Sequence, residues 1–164
     1  MPGDLDEGKA YAYAVRLLAV REYCEAQVRD RLAIWAKRRE KYISDDCVDA
    51  VIKRLLHDGY LSEARFVQGF FRLRLRRGDT PRFAAIKARQ KGARDDIIAD
   101  NLREFEEAFD ASEACRALLE KRDPTGRHFD DEKIWRRQVR FLQQKGFDTA
   151  TILRVMKDGA RHEG

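Results

Sequence analysis

ARQKGARDDIIADNL (88–102) and LQQKGFDTATILRVM (142–156) follow one pattern. Each contains Gln-Lys-Gly, at Gln90-Lys91-Gly92 and at Gln144-Lys145-Gly146. One residue beyond the glycine stands Ala93 or Phe147, six beyond stands Ile98 or Ile152, and ten beyond stands Leu102 or Met156. The last two offsets differ by four, so these apolar residues share one helical stripe. A degenerate third copy lies upstream, with Tyr42 in the glycine place and Ile43, Val48 and Ile52 at the same three offsets. Each copy follows an amphipathic helix that is itself preceded by another. The implied unit is three helices, repeated three times, at 10–58, 62–107 and 111–158. Units this small bury little apolar surface alone and must share interfaces. The expected fold is all-α, three tandem three-helix repeats in an elongated stack whose curvature the sequence leaves open.

Glycine directly after a charged residue marks the helix ends at Gly59, Gly78, Gly92, Gly146 and Gly159, the pattern of a helix closing on a left-handed residue. Asp45, Ser62, Thr80-Pro81, Asp95, Ser112, Asp131 and Thr149 can open the runs that follow. These signals bound nine helices near 9–20, 24–37, 45–57, 62–77, 81–91, 95–107, 112–121, 131–145 and 149–158. Phe71–Arg76 alternates with period two, as a strand would. Phe66, Phe70 and Leu73 run through it at helical spacing, so a helix with those three in the core is expected. The connectors 36–42 and 123–129 read as mobile loops rather than sites.

Composition agrees. Of 164 residues, 38% are charged and 43% hydrophobic, with only 10 Gly and 3 Pro, too few turn residues for a many-stranded sandwich. No apolar run approaches the roughly 18 residues a membrane span needs, and MPGDLDEGKA lacks a basic, then apolar leader, so a cytoplasmic protein with no secretory signal is expected. Cys24, Cys47 and Cys115 are too widely spaced for a zinc site or disulfide framework and suit small-hydrophobe packing in a reducing compartment. His57, His128 and His162 have no ligand-spaced partners. Neither a nucleophile motif nor a phosphate-cradling glycine loop occurs. No enzyme, metal or cofactor is expected.

What remains is binding. Residues 60–94 hold ten Arg or Lys against Glu63 and Asp79, a block of +8; residues 95–113 hold eight carboxylates against Arg103, a block of −7. The candidate partner or DNA-binding surface is Arg72, Arg74, Arg76, Arg77, Arg82, Lys87, Arg89, Lys91 and Arg94. Arg72 and Arg76 share one helical face, Arg74 and Arg77 another. Guanidinium groups pair bidentately with phosphate or carboxylate and stack on bases. The targets that fit are nucleic-acid backbone, read without sequence preference, or an acidic protein surface; a third reading is an adaptor whose acidic 95–113 block docks a basic partner.

AVRLLAVREYCEAQVRDRL (14–32), VIKRLLHDGYLSEARFVQGFFRLRLRRG (51–78), RQKG (89–92) and QVRFLQQKGFDTATILRVM (138–156) resemble the RecX family of bacterial recombinase regulators. The most specific element is GYLSEARF (59–66), followed at matching spacing by RRG (76–78), Pro81 and QKG (90–92). Where the family usually has Gly-Tyr-Gly-Pro, this chain has Gly78-Asp79-Thr80-Pro81. The resemblance implies tandem three-helix repeats without enzymatic activity that bind the RecA recombinase, chiefly its filament on single-stranded DNA. It implies reduced filament growth, ATP hydrolysis, strand exchange and co-protease activity. A monomer with direct but weak DNA binding and no membrane contact would suit that role. Gly59, Tyr60, Leu61, Arg65 and Phe66 are then a structural junction, and Arg72, Arg76, Arg77 and Lys91 the core of the interaction surface.

Overall fold

Local sequence sets the helix limits. The computed structural model describes residues 5–158; the stop at Gly159 and His162 lie outside them. Among these residues run α1 (Glu7–Val20), α2 (Glu25–Arg38), α3 (Asp45–His57), α4 (Glu63–Arg76), α5 (Pro81–Gln90), α6 (Asp95–Glu107), α7 (Ala111–Arg122), α8 (Glu132–Gln144) and α9 (Thr149–Asp158). A 3-10 turn, Arg127–Phe129, joins α7 to α8, inside a connector expected to be irregular. The period-two stretch 71–76 is helical, and no described residue lies in a strand. Among the described residues no helix is long and apolar enough to cross a membrane.

Four helix starts lie one or two residues upstream of the expected caps, α6 among them, since Asp95 is already its first residue and Arg94 takes the cap position. Ser44, Asp110 and Asp148 accept the orphan N–H groups of Cys47, Glu113 and Thr151 at 3.1, 3.0 and 2.7 Å. A cap must sit in extended backbone just before the first helical residue. Asp45, Ser112 and Thr149 already lie inside their helices. The same Thr151 bonds, backbone first, hold the Asp148 carboxyl below its ordinary range.

The two Gln-Lys-Gly turns are built identically. Gly92 N–H donates to Arg89 O at 2.9 Å and Ala93 N–H to Ala88 O at 3.2 Å; Gly146 and Phe147 repeat this to Gln143 O and Leu142 O at 3.0 and 3.2 Å. Both glycines are left-handed, at φ 91° and 100°. After α2 the same bonds run from Glu40 to Lys37 O and from Lys41 to Ala36 O. The glycine place in the first copy is therefore held by Glu40 at φ 53°, not by Tyr42. That residue bears the Cβ crowding that glycine avoids, on the order of 1 kcal/mol. Two extra residues follow before Ile43, so the offsets counted from Tyr42 still fall on the buried stripe of α3, with Val48 and Ile52 inside.

Packing forms two compact units. One holds α1–α3, the chain to Phe70 and Lys87–Asn101; the other holds Phe71–Ile86 and the chain from Leu102 onward. In the first, Ala10, Ala14, Val28, Leu32, Val51, Ile52, Leu55 and Leu61 make the core. In the second, Cys115, Leu119, Leu142, Phe147, Ile152 and Met156 do so. Cys24 and Cys115 are buried and Cys47 half-buried; burial pushes the Cys115 thiol up to about 11. On α4 the inward residues are Phe66, Val67 and Phe71, while Leu73 is exposed, contrary to the expected core position. The stripe through Phe66 and Phe70 continues to Phe71, which stacks on Phe105 at 5.3 Å, not to Leu73.

The junction after α3 belongs to the first unit. Gly59 takes φ 78° and turns the chain so that Leu61 and Phe66 enter the interior. Arg65 donates to the carbonyls of Gly59 and Tyr60 at 2.8 and 3.1 Å and to Glu22 Oε1 at 2.9 Å. It thus satisfies acceptors that the end of α3 leaves open. Tyr60 is exposed and edge-on to Tyr11. Buried Glu63 accepts from Glu25 N–H at 2.6 Å and from Arg94 N–H at 3.2 Å, so one carboxylate caps the starts of both α2 and α6.

Candidate interaction surface

In the second unit, the end of α4 and the residue after it carry four arginines in six residues, and they have different surroundings. Arg74 turns inward. Its Nε donates to Asp79 Oδ2 at 2.6 Å, and the Asp79 side chain is wholly buried. Asp79 can reach back because Gly78 takes φ 92°, closing the helix by bonds from Gly78 to Leu75 O and from Asp79 to Arg74 O. The side chain at the position where the expected family pattern has Tyr is thus tied to the helix that precedes it.

Arg72, Arg76 and Arg77 are exposed, and none has a carboxylate partner among the described residues. The Gln-Lys-Gly turn of 144–146 sits beside them. Thr80 N–H donates to Lys145 O at 2.9 Å, and Lys145 Nζ donates to Arg77 O at 2.9 Å. Lys145, 68 residues away in sequence, therefore adds a cation at the end of α4, where the helix dipole also favours one. Gly146 permits the approach: a Cβ there would collide with Thr80 Oγ1 and lie 2.6 Å from the Phe83 ring. No spacing rule in the sequence joins Lys145 to Arg77; only the fold does.

The remaining candidates separate likewise. Arg82 lies 3.6 Å from Glu106. In the first unit, Arg89 pairs with Asp95 and Arg94 with Asp96, both at 2.8 Å. Three arginines of the basic block are thereby matched to the acidic block that follows it. Lys87 is half-buried and has a partner of its own. Lys91 is exposed, its carbonyl accepting from Cys24 Sγ at 3.3 Å. The nine candidates thus reduce to Arg72, Arg76 and Arg77 in one unit and Lys91 in the other as cations facing water without a carboxylate. Three guanidinium forks with free N–H groups can grip phosphate or carboxylate oxygens bidentately.

Two sequence models of one family match this chain, that of the first three-helix domain of RecX over residues 10–55 and that of the third over 110–156. A relative named regulatory protein RecX, from Halorhodospira halophila, is 35% identical over 134 residues, covering 82% of this chain and 78% of its own. The chain belongs to the RecX family. A second RecX, from Legionella pneumophila, is 31% identical over 150 residues, or 92% of this chain and 94% of that one. The crystal structure of RecX from Lactobacillus salivarius superposes with a TM-score of 0.72 at 19% identity, over 93% of this chain and 95% of that one. The RecX fold is accordingly an all-α repeat fold here, and the relatives are named as regulators rather than enzymes.

Proposed function

We propose that this RecX chain regulates the RecA recombinase in the bacterial cytoplasm, binding RecA filaments on single-stranded DNA as a monomer. Bound, it lowers ATP hydrolysis, strand exchange and co-protease activity without chemistry of its own. Its three-helix repeats are taken as 10–58, 62–107 and 111–158. The contact residues are assigned, in one unit, to Arg72, Arg76 and Arg77 with Lys145 beside them and, separately, to Lys91 in the other.

The observation that carries this reading is the unpaired cluster at the end of α4. Pairing with carboxylates in the same chain has removed the other arginines of the block, yet these remain open. Cations left without partners on a surface this rich in carboxylates suit an anionic partner outside the chain. A filament of recombinase on DNA offers acidic side chains and phosphates together.

The test adds the protein to preformed RecA filaments and follows ATP hydrolysis and repressor cleavage. Inhibition at stoichiometric levels is expected. Arg72→Glu/Arg76→Glu should weaken it roughly a hundredfold while leaving the melting temperature within a degree or two, since neither side chain has a partner among the described residues. Wild-type protein without effect would reject the RecA assignment. An equally potent double variant would reject the surface. Tight, salt-dependent binding of naked single-stranded DNA with no effect on RecA would identify a general nucleic-acid-binding protein instead.

A further inference from the structure

The third repeat holds a second group of guanidinium groups without carboxylate partners among the described residues, and these line a hollow. Arg122 at the end of α7, Arg127 in the 3-10 turn and Arg137 on α8 border a recess of about 400 Å³. Neither Arg127 nor Arg137 has a side-chain partner among the described residues, and Arg122 has no carboxylate. Asp123 is the one acid in the lining, and its carboxylate is spent elsewhere. It accepts from the backbone N–H groups of Arg127 and His128 at 3.0 and 2.9 Å and from the His128 ring. Burial would raise that carboxyl, but these bonds outweigh it and hold it below its ordinary range, so it stays ionised and engaged.

Arg122 is also held in place before any ligand arrives. Its Nε donates to Oε1 of buried Gln138 at 2.9 Å, and its guanidinium lies 3.8 Å over the Phe141 ring. That leaves its terminal N–H groups for a ligand, in a fixed plane. Three cations lining one hollow repel one another unless an anion sits among them. A carboxylate has two oxygens for one or two forks, whereas a terminal phosphate group has three non-ester oxygens, one for each, and within a strand the paired non-bridging oxygens of neighbouring phosphates together serve three. The recess also falls in the size range of small-ligand clefts, leaving room for what the phosphate carries.

We infer that this recess binds a phosphate group borne by a nucleotide, free or within a single strand, through Arg122, Arg127 and Arg137. The site lies apart from the α4 surface and stands whether or not RecA is the partner.

The experiment titrates the isotope-labelled protein with inorganic phosphate, thymidine monophosphate, thymidine and a short oligothymidylate, reading the arginine Nε–Hε resonances. The Arg122 resonance should move with each phosphate compound and stay still with thymidine. A larger response to the oligonucleotide assigns the site to a strand; an equal one assigns it to free nucleotides. Arg137→Ala should weaken binding about tenfold, and Arg137→Lys, which keeps charge without the fork, should recover only part of it. For the oligonucleotide, the salt dependence should fall by about 0.7 in log–log slope per arginine removed. Movement with thymidine alone, no movement with any phosphate compound, or unchanged affinity in a folded Arg137→Ala protein would each overturn the assignment.

Discussion

Arg74 and Arg76 stand two residues apart on one helix and serve opposite ends. Arg74 closes the turn after α4 on a buried aspartate; Arg76 faces solvent with no carboxylate partner among the described residues. Residues two apart on a helix point about 200° away from each other, so a run of alternating arginines necessarily places some against the body and others outward. A basic block read as one surface is therefore two populations. One builds the fold, and only the other is free to bind. The comparison is broken if removing an inward arginine costs no stability, or if removing an outward one does.

Arg74→Ala gives the largest stability loss. It leaves the Asp79 carboxylate buried without its cation, a loss of about 3 kcal/mol, equivalent to several degrees or more in melting temperature. The Arg74→Ala/Asp79→Asn protein should recover part of that, because the buried carboxylate charge that Arg74 balances is gone as well. Thermal unfolding of the two proteins reads this directly. A single variant as stable as wild type would mean that the pair contributes nothing, and Arg74 would return to the binding surface.

Arg65→Ala should come next, at about 1 kcal/mol. Its guanidinium is half exposed, which weakens the Glu22 pair, but it also closes two carbonyl acceptors after α3. A chemical-denaturation midpoint lowered with unchanged slope is the expected result. Because Arg65 belongs to the fold-building population, inhibition of RecA filaments at low temperature, where the variant remains folded, should be unaffected.

Helix number, order and most limits were legible because amphipathic spacing and glycine stops are local signals. The exceptions are instructive. Glu40 hid the first copy of the turn, since a left-handed glutamate leaves no compositional mark. Helical spacing alone puts Leu73 in the core because Phe70 and Phe71 offer two nearby stripes, and only the contact with Phe105 selects between them. The +8 and −7 totals showed a charged region but not its pairing, which depends on side chains meeting across turns, as Arg82 meets Glu106. The third-repeat recess was invisible to such totals because Glu120, Asp130, Asp131 and Glu132 dilute its arginines along the chain. Its signal is geometric: Asp123 is turned inward and leaves the three guanidinium groups without a carboxylate.

The smallest effect tests the same division from the acidic side. Arg89 and Asp95 bridge α5 to α6 at 2.8 Å, with both side chains more than half exposed. Such a pair is worth little, under about 0.5 kcal/mol, because water screens it and two long side chains lose freedom to form it. Arg89→Ala should therefore barely move the melting temperature. Asp95→Ala removes the partner instead, and releases a guanidinium into the outward population. If unpaired cations define the surface, this variant should bind anionic partners about twofold more tightly at low salt, with the gain fading as screening increases. Affinity for oligothymidylate measured across ionic strengths decides it: a gain at low salt supports pairing as the property that separates the two arginine populations, and no gain confines binding to the end of α4, Lys91 and the recess.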